Sequence, residues 1–138
     1  MKARIGIGLL ACAAITAFAL LHAGGVTTAN AAGPDGKALF NTNCSSCHQV
    51  NGEGVPGAFP PLAGNPDVAA ESPTKIIGIV LHGLDTPITV KGVKYPGGMP
   101  SWRHQFSNAE VAAILTYVRS SWGNKAPAVT EKDVEAVK

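Results

Sequence analysis

The sequence predicts a small all-α domain. Helix start and stop signals or helical periodicity mark three segments, at residues 34–43, 72–83 and 107–123. One short alternating stretch, at residues 86–98, predicts a β-hairpin and no larger sheet. The connecting segments are rich in glycine and proline, which interrupt regular structure. The 138 residues of the whole chain leave room for one domain at most.

The first 31 residues have the pattern of a secretory signal peptide. Lys2 and Arg4 form a short basic region, and the uncharged apolar run Ile5–Leu21 follows them. Its 17 residues are fewer than the roughly 20 that a membrane span needs. A small-residue A-x-A signal comes next and ends at Ala31. We therefore expect residues 1–31 to be removed by cleavage after Ala31.

The expected mature domain is 32–138, with a core at about 34–123 and a tail at 124–138. An uncleaved membrane anchor and a lipid-modified Cys12 are the alternatives for the N-terminus. Without the signal peptide, nine Lys and Arg residues balance nine Asp and Glu residues, so no basic patch suggests a nucleic-acid partner. A domain of this size buries its own surface only modestly, and the composition is compatible with a large apolar cofactor at its centre.

Two cysteines, Cys44 and Cys47, stand in the stretch NTNCSSCHQVNGEG. A thioredoxin-type pair would follow a strand, but the preceding PDGKALFNTN has no β-branched run and predicts a short helix. A zinc site would need a second Cys or His pair at ligand spacing, and the four histidines are scattered singly. A disulfide within CSSC would close a very small loop and add little stability. None of these alternatives has the sequence that it needs.

His48 follows Cys47 directly, and C-x-x-C-H is the attachment signature of c-type haem. This spacing lets two thiols reach the two vinyl groups of one porphyrin, and the adjacent imidazole is then placed beneath the iron. The predicted cofactor is thus one covalently bound haem c, tethered by Cys44 and Cys47 with His48 as an axial ligand. Export agrees with this prediction, because haem c is attached outside the cytoplasm in bacteria.

The second and third predicted helices have clear boundaries. Ser72 is the expected N-cap of the second, with Pro73 at its first position and Gly83 as its stop. Ser107 opens the third, and a Glu stands three residues later as in a capping box. This helix ends at Gly123, and its apolar residues recur at helical spacing on one face: Val111, Ile114, Leu115 and Val118. The residues beyond it are expected to form a frayed or weakly helical tail.

From Gly36 to about Gly123 the chain resembles the small class I (monohaem) cytochromes c. The motifs GKALFNTNCSSCH, NGEGVPGAFPPLAGNP and YPGGMPSW carry this resemblance, in the order that the family shows. It implies the cytochrome c fold, in which the N- and C-terminal helices cross around one covalently bound haem. Phe40 and Gly36 would then pack on Leu115 or Val118, and Gly36 would allow close approach of the two helices.

Met99 is the only methionine after the predicted signal peptide. It lies between glycines and a proline, where no helix or central strand continues. Filling a gap in the core is the ordinary role of methionine. The resemblance instead makes Met99 the sixth ligand of the iron, and a Met/His pair raises the haem potential. Because both axial positions would be filled, the implied chemistry is outer-sphere transfer of one electron.

The resemblance assigns further pocket residues. Leu62 is expected on the porphyrin, and the carbonyl of Pro60 or Pro61 would accept the Nδ1 proton of His48. Tyr95 and Trp102 flank the Met loop and would bind a haem propionate, line the pocket or simply pack in the core. His82 and His104 are expected to be exposed or capping residues. Three cations are either propionate contacts or solvated surface charges: Lys91, Lys94 and Arg103.

The predicted function is that of a periplasmic electron carrier rather than an enzyme, with redox proteins as donor and acceptor. Alternatively, the chain is a dedicated cytochrome c subunit that associates peripherally with a membrane or periplasmic dehydrogenase, reductase or oxidase. A haem enzyme or gas sensor with a displaceable Met99 is a third interpretation. The segments expected at the haem edge, EGVPGAFPPLAG and YPGGMP, are small and apolar. We therefore expect mainly hydrophobic docking.

Overall fold

The computed structural model describes residues 33–137, and the predicted signal peptide lies outside this range. Within it, six helices and one two-stranded sheet follow in the order α1 (Gly36–Asn43), α2 (Ser45–His48), α3 (Pro66–Ala69), α4 (Thr74–His82), β1 (Ile88–Val90), β2 (Val93–Tyr95), α5 (Asn108–Ser120) and α6 (Glu131–Glu135). This mainly helical architecture with one hairpin is the one predicted. No helix of the described range has the length and apolar character needed to cross a membrane.

Helices α1 and α5 pack directly on each other. Helix α1 begins at an Asp35 cap, whose carboxylate accepts a hydrogen bond from the Ala38 N–H at 3.0 Å. A Cβ atom built on Gly36 would lie 2.0 Å from the Ala113 carbonyl oxygen, so only glycine permits this approach. Phe40, fully buried one turn later, belongs to the same core. The close contact expected at Gly36 is confirmed.

Helix α5 supplies the largest buried face of the core. Ser107 and Glu110 form a reciprocal capping box, so the predicted helix start is confirmed. All four residues of the predicted apolar face are at most 4% exposed: Val111, Ile114, Leu115 and Val118. They pack with residues of α1, α3, α4 and α6 into one hydrophobic core. This helix therefore connects most of the other elements.

Helix α4 and the hairpin follow the prediction with one correction. Pro73, not Ser72, is the N-cap of α4, and the helix begins at Thr74. The Ser72 hydroxyl accepts a long hydrogen bond from the Thr74 N–H (3.4 Å) and so forms a turn before the helix. Strands β1 and β2 are antiparallel, with Lys91 and Gly92 at positive φ in the two-residue turn that a tight hairpin requires.

The C-terminal segment contains the short helix α6, so the helical alternative predicted for the tail is confirmed, but the segment is packed rather than frayed. Thr130 and Asp133 form a second capping box at the start of α6. Val129 and Val134 are buried in the core. The Val129 backbone also exchanges two hydrogen bonds with the Thr116 hydroxyl. The segment is mostly polar, so its composition does not indicate that Val129 and Val134 are buried. Their burial holds the segment against the core.

Candidate haem-binding site

A single apolar cavity collects most of the predicted site residues. Its volume is about 360 Å³, within the range of roughly 300–1,000 Å³ that cofactor sites occupy. Core residues of α1, α4 and α5 form its inner wall. Seven predicted site residues line it: Cys44, Cys47, His48, Pro60, Leu62, Met99 and Trp102. The fold thus brings together side chains as far apart in sequence as the C-x-x-C-H motif and the Met loop.

His48 is buried at the end of α2 with its ring orientation fixed. Its Nδ1 atom lies 3.0 Å from the Pro60 carbonyl oxygen, so Pro60 rather than Pro61 provides this contact. A carbonyl oxygen only accepts, and therefore Nδ1 carries the proton and donates it. Burial lowers the pKa of His48, and the hydrogen bond to Pro60 partly opposes this effect. Because Nδ1 is engaged with the Pro60 carbonyl, Nε2 is the ring nitrogen that can bind a metal.

A tight loop holds Pro60 beside His48. The Gly54 N–H donates to the His48 carbonyl at 2.9 Å, and Val55 pairs with Phe59 across a short turn. A Cβ atom on Gly54 would lie 2.4 Å from the Phe59 carbonyl oxygen, so a side chain at this position would push the two arms of the loop apart. These backbone contacts place the proline carbonyl beside His48.

Cys44 and Cys47 lie one helical turn apart beside the cavity. The Cys47 N–H donates to the Cys44 carbonyl at 3.2 Å, and both cysteines are half-buried free thiols. Burial, together with the negative charge that a Cys47 thiolate would carry, raises the pKa of Cys44 to about 11. Two unpaired thiols, which would form the covalent links, and an imidazole, which would bind the iron, are the groups that attachment of haem c requires. The residues present therefore fit the cofactor that the motif predicts.

The end of α4 fixes the backbone of the Met loop. Met99 exchanges two hydrogen bonds with Leu84, at 3.1 Å through its N–H and 2.9 Å through its carbonyl. Just beyond, the Trp102 N–H donates to the Val80 carbonyl at 2.9 Å. A Cβ atom on Gly97 would lie 2.2 Å from the Asp85 carbonyl carbon, so the approach of these segments requires glycine. Met99 thus has a defined position on the cavity wall.

The predicted aromatic, cationic and histidine residues lie in different surroundings. Trp102 lines the cavity and stacks on Phe106, with 5.2 Å between ring centroids. Tyr95 is only 4% exposed, but it is not part of the cavity lining. Lys91 and Arg103 donate to the backbone carbonyls of Ala63 and Val137, respectively, at 3.1 and 3.4 Å. His82 and His104 are exposed, as expected.

Asn124 supports the cavity wall but was not predicted from the sequence. It is 5% exposed, and its amide donates to the Leu62 and Val118 carbonyls at 3.1 and 2.9 Å. Its Oδ1 atom accepts a hydrogen bond from the Gly64 N–H at 2.8 Å. The asparagine therefore joins the end of α5 to the loop that carries Leu62. The one signal in the sequence is the Gly-Asn pair after the helix, which is also typical of an ordinary turn.

The comparisons with known proteins agree with this site. The family model described as Cytochrome c matches residues 34–122. The chain belongs to the cytochrome c family. Members of this family carry haem c covalently and transfer electrons, and Cys44 and Cys47 have the family's C-x-x-C-H spacing. The predicted fold class and cofactor are therefore confirmed.

The relatives include both small cytochromes and much longer subunits. Cytochrome c-552 of Thermus thermophilus is 41% identical over 112 residues, which cover 79% of this chain and 72% of that protein. The cytochrome c subunit of the quinone alcohol dehydrogenase of Gluconacetobacter polyoxogenes is 36% identical over 79% of this chain but only 23% of its own length. The cytochrome c subunit of gluconate 2-dehydrogenase of Pantoea cypripedii is 34% identical over 75% and 24%, respectively.

Proposed function

We propose that the chain is a periplasmic one-electron carrier whose haem c is attached to Cys44 and Cys47 and ligated by His48 and Met99. The observation that carries this proposal is the composition of the cavity wall. Two unpaired thiols, a buried imidazole and a backbone-fixed methionine line the same apolar cavity. A Met/His ligand pair raises the haem potential and leaves no open position on the iron. Accordingly, we assign no catalytic residue to this chain.

The bound haem would supply a one-electron couple between ferric and ferrous iron. The chain's own residues prepare the site for it. The Pro60 carbonyl holds the His48 proton on Nδ1, which keeps Nε2 available as a donor atom. The backbone pairing of Met99 with Leu84 limits movement of the second ligand. The cavity lining between them is mostly apolar and includes Leu62.

Variants of the ligands and the tethers test this assignment. Met99→Ala should abolish the near-infrared band of the ferric protein that reports a methionine–iron bond. His48→Ala should prevent stable haem incorporation, whereas His82→Ala, at an exposed position, should change neither property. In a Cys44→Ala, Cys47→Ala double variant, acidified acetone should extract the haem, which stays with the wild-type polypeptide. Retention of the near-infrared band in Met99→Ala would refute the assignment of the sixth ligand.

Binding of added ligands separates the carrier from the haem enzyme or gas sensor. A carrier keeps Met99 bound, so added imidazole or carbon monoxide should bind slowly and weakly. Fast binding of carbon monoxide to the ferrous protein at neutral pH would favour the enzyme or sensor interpretation.

Periplasmic location is tested separately by intact-mass analysis of the periplasmic fraction, where the proposal expects a haem-containing chain that begins at residue 32.

The proposed partners are redox proteins, either freely diffusing or assembled with the chain as a dedicated subunit. The cytochrome c-552 match favours a free carrier, and the dehydrogenase-subunit matches favour the alternative. Purification of the tagged chain from its own cells distinguishes them. A free carrier should elute without stoichiometric partners in mild detergent, whereas a subunit should bring one oxidoreductase with it in a fixed ratio.

We propose further that docking is mainly hydrophobic. Phe59 lines the cavity and is 40% exposed, and its backbone partner Val55 is 38% exposed. Val55→Ser should therefore slow electron transfer to the partner. Val93→Ser is the matched control, because Val93 is 44% exposed on the hairpin outside the cavity lining. The wild-type rate should depend weakly on ionic strength, and a steep fall with added salt would point to charge steering instead.

A further inference from the structure

Arg119 is a fully buried arginine on α5 whose guanidinium is bound by backbone carbonyls. Its exposed fraction is 0%, the lowest value among the charged residues of the described range. The side chain donates to the carbonyl oxygens of Pro127 (2.8 Å), Val68 (2.9 Å), Ala70 (2.8 Å) and Glu71 (3.2 Å). These contacts join α5 to α3, to the segment that follows α3 and to the C-terminal segment.

This buried cation has no carboxylate in direct contact. Between residues 33 and 137, one ion pair is closer than 4 Å, and in it Lys75 Nζ lies 2.7 Å from Asp67 Oδ2. The negative charge of Asp133 attracts the guanidinium and partly offsets the lowering of the Arg119 pKa by burial. The Asp133 carboxylate itself accepts hydrogen bonds from Thr130. Arginine stays protonated in proteins, so the interior here carries a permanent positive charge.

The charge lies directly behind one wall of the haem cavity. Val68, whose carbonyl accepts from Arg119, lines the cavity, and so does Val118, the residue before it on α5. A charge in such surroundings is screened far less than one at the surface. Asp67 also lines the cavity, and its carboxylate forms an ion pair with Lys75. Arg119 therefore contributes a field at the cavity that no direct ion pair cancels.

We propose that Arg119 is a fixed positive charge that raises the reduction potential of the haem. The inference depends on the proposed function, because it requires a haem in this cavity. Reduction adds one electron from a donor protein to the iron and lowers the net charge of the site by one. A nearby cation opposes the ferric state more than the ferrous state, so reduction becomes more favourable. Arg119 would act through the electric field, without touching the haem.

The test compares midpoint potentials of holoprotein variants, measured by spectroelectrochemistry. Arg119→Gln removes the charge, and its potential should fall. Arg119→Lys keeps the charge while losing part of the hydrogen bonding, so its potential should stay near that of the wild type. Asp133→Asn removes the negative charge that opposes Arg119, and its potential should rise. A purely structural role predicts that both Arg119 variants lose stability in guanidinium unfolding and that their potentials move together.

Two outcomes would overturn the proposal. The first is equal potentials in Arg119→Gln and Arg119→Lys. The second is an unchanged or lower potential in Asp133→Asn. This substitution lies near the surface and retains an oxygen for the helix cap. It therefore remains informative if Arg119→Gln does not fold. The near-infrared methionine band, recorded on the same samples, separates a failure of the ligand assignment from a failure of the charge effect.

Discussion

Substitution of Gly36 by alanine tests the helix contact on which the site is built. The new Cβ atom would lie 2.0 Å from the Ala113 carbonyl oxygen and 2.4 Å from its carbonyl carbon. Ordinary contacts of this kind are at 3.4–4 Å. The opposing atoms are backbone, so no side chain can rotate away. Helices α1 and α5 would have to separate by about 1 Å or more, a change that close-packed interiors resist.

Overpacking of a well-packed core costs about 1–3 kcal/mol. Alanine has a higher helix propensity than glycine, by about 1 kcal/mol in a helix interior. Gly36 is the first residue of α1, so this compensation is small here. We therefore expect Gly36→Ala to lower the free energy of unfolding by about 2–3 kcal/mol, at the upper end of the overpacking range. For a domain of about 100 residues this corresponds to a fall in Tm of roughly 10–20 °C.

Gly78→Ala is the matched control. Gly78 lies in the middle of α4, and a Cβ atom there would meet only the Val137 Cγ1 atom at 3.9 Å. The same substitution should therefore stabilise the protein by about 0.5–1 kcal/mol. Guanidinium unfolding of both holoproteins, followed by circular dichroism, gives the comparison. If Gly36→Ala lies within about 0.5 kcal/mol of the wild type, a difference typical of a neutral surface change, the helix contact is not the constraint described.

Three further substitutions test the supports of the site. Asn124→Ala leaves the Gly64 N–H without its partner, whereas the Leu62 and Val118 carbonyls keep longer backbone hydrogen bonds. The substitution should therefore cost about 1–3 kcal/mol, the range for one unsatisfied buried group. Guanidinium unfolding measures this loss, and a neutral effect would contradict the bridging role. Gly97→Ala should weaken the near-infrared band of the ferric protein, because the segment before Met99 must shift; an unchanged band would show that the contact is not needed. Hydrogen bonds from Ser107 lower the pKa of Glu110 below its ordinary value of 4.5. Its stabilisation is thus present above pH 4.5 and lost as the pH falls through the folded-state pKa, so wild type and Glu110→Gln should differ in unfolding midpoint at neutral pH and converge in acid.

The parts of the fold that could be predicted from the sequence depend on neighbours along the chain. The capping box of α5 needs residues three apart, and its buried face follows from the helical period. The hairpin follows from alternation around Gly92. The packed C-terminal segment could not be predicted in this way. Its order comes from Val129 and Val134 meeting a core formed by distant residues, and nothing within the segment itself signals that core.

The site likewise has features that could be predicted from local sequence and features that depend on distant residues. The C-x-x-C-H motif is local, so it predicted the cofactor directly. The partner of His48 was predicted only as one of two prolines, because the choice depends on the turn between Val55 and Phe59. The pairing of Met99 with Leu84 and the bridge made by Asn124 join residues 15 and 60 or more positions apart. No periodicity connects such positions, so only the folded chain reveals them.

Different parts of the fold hold the two proposed axial ligands in place. The His48 side is built on α1, α2 and the Pro60 loop, and Asn124 ties the following segment to α5. The Met99 side is built on the end of α4 through Leu84. The elements that hold the two ligands belong to one core, in which α5 contacts both α1 and α4. Because close-packed elements resist independent movement, the distance between the two ligands is set by that core rather than by the loops that carry them. A carrier that exchanges electrons without exchanging ligands requires such a fixed distance, and this supports electron transfer over ligand binding as the function of the site.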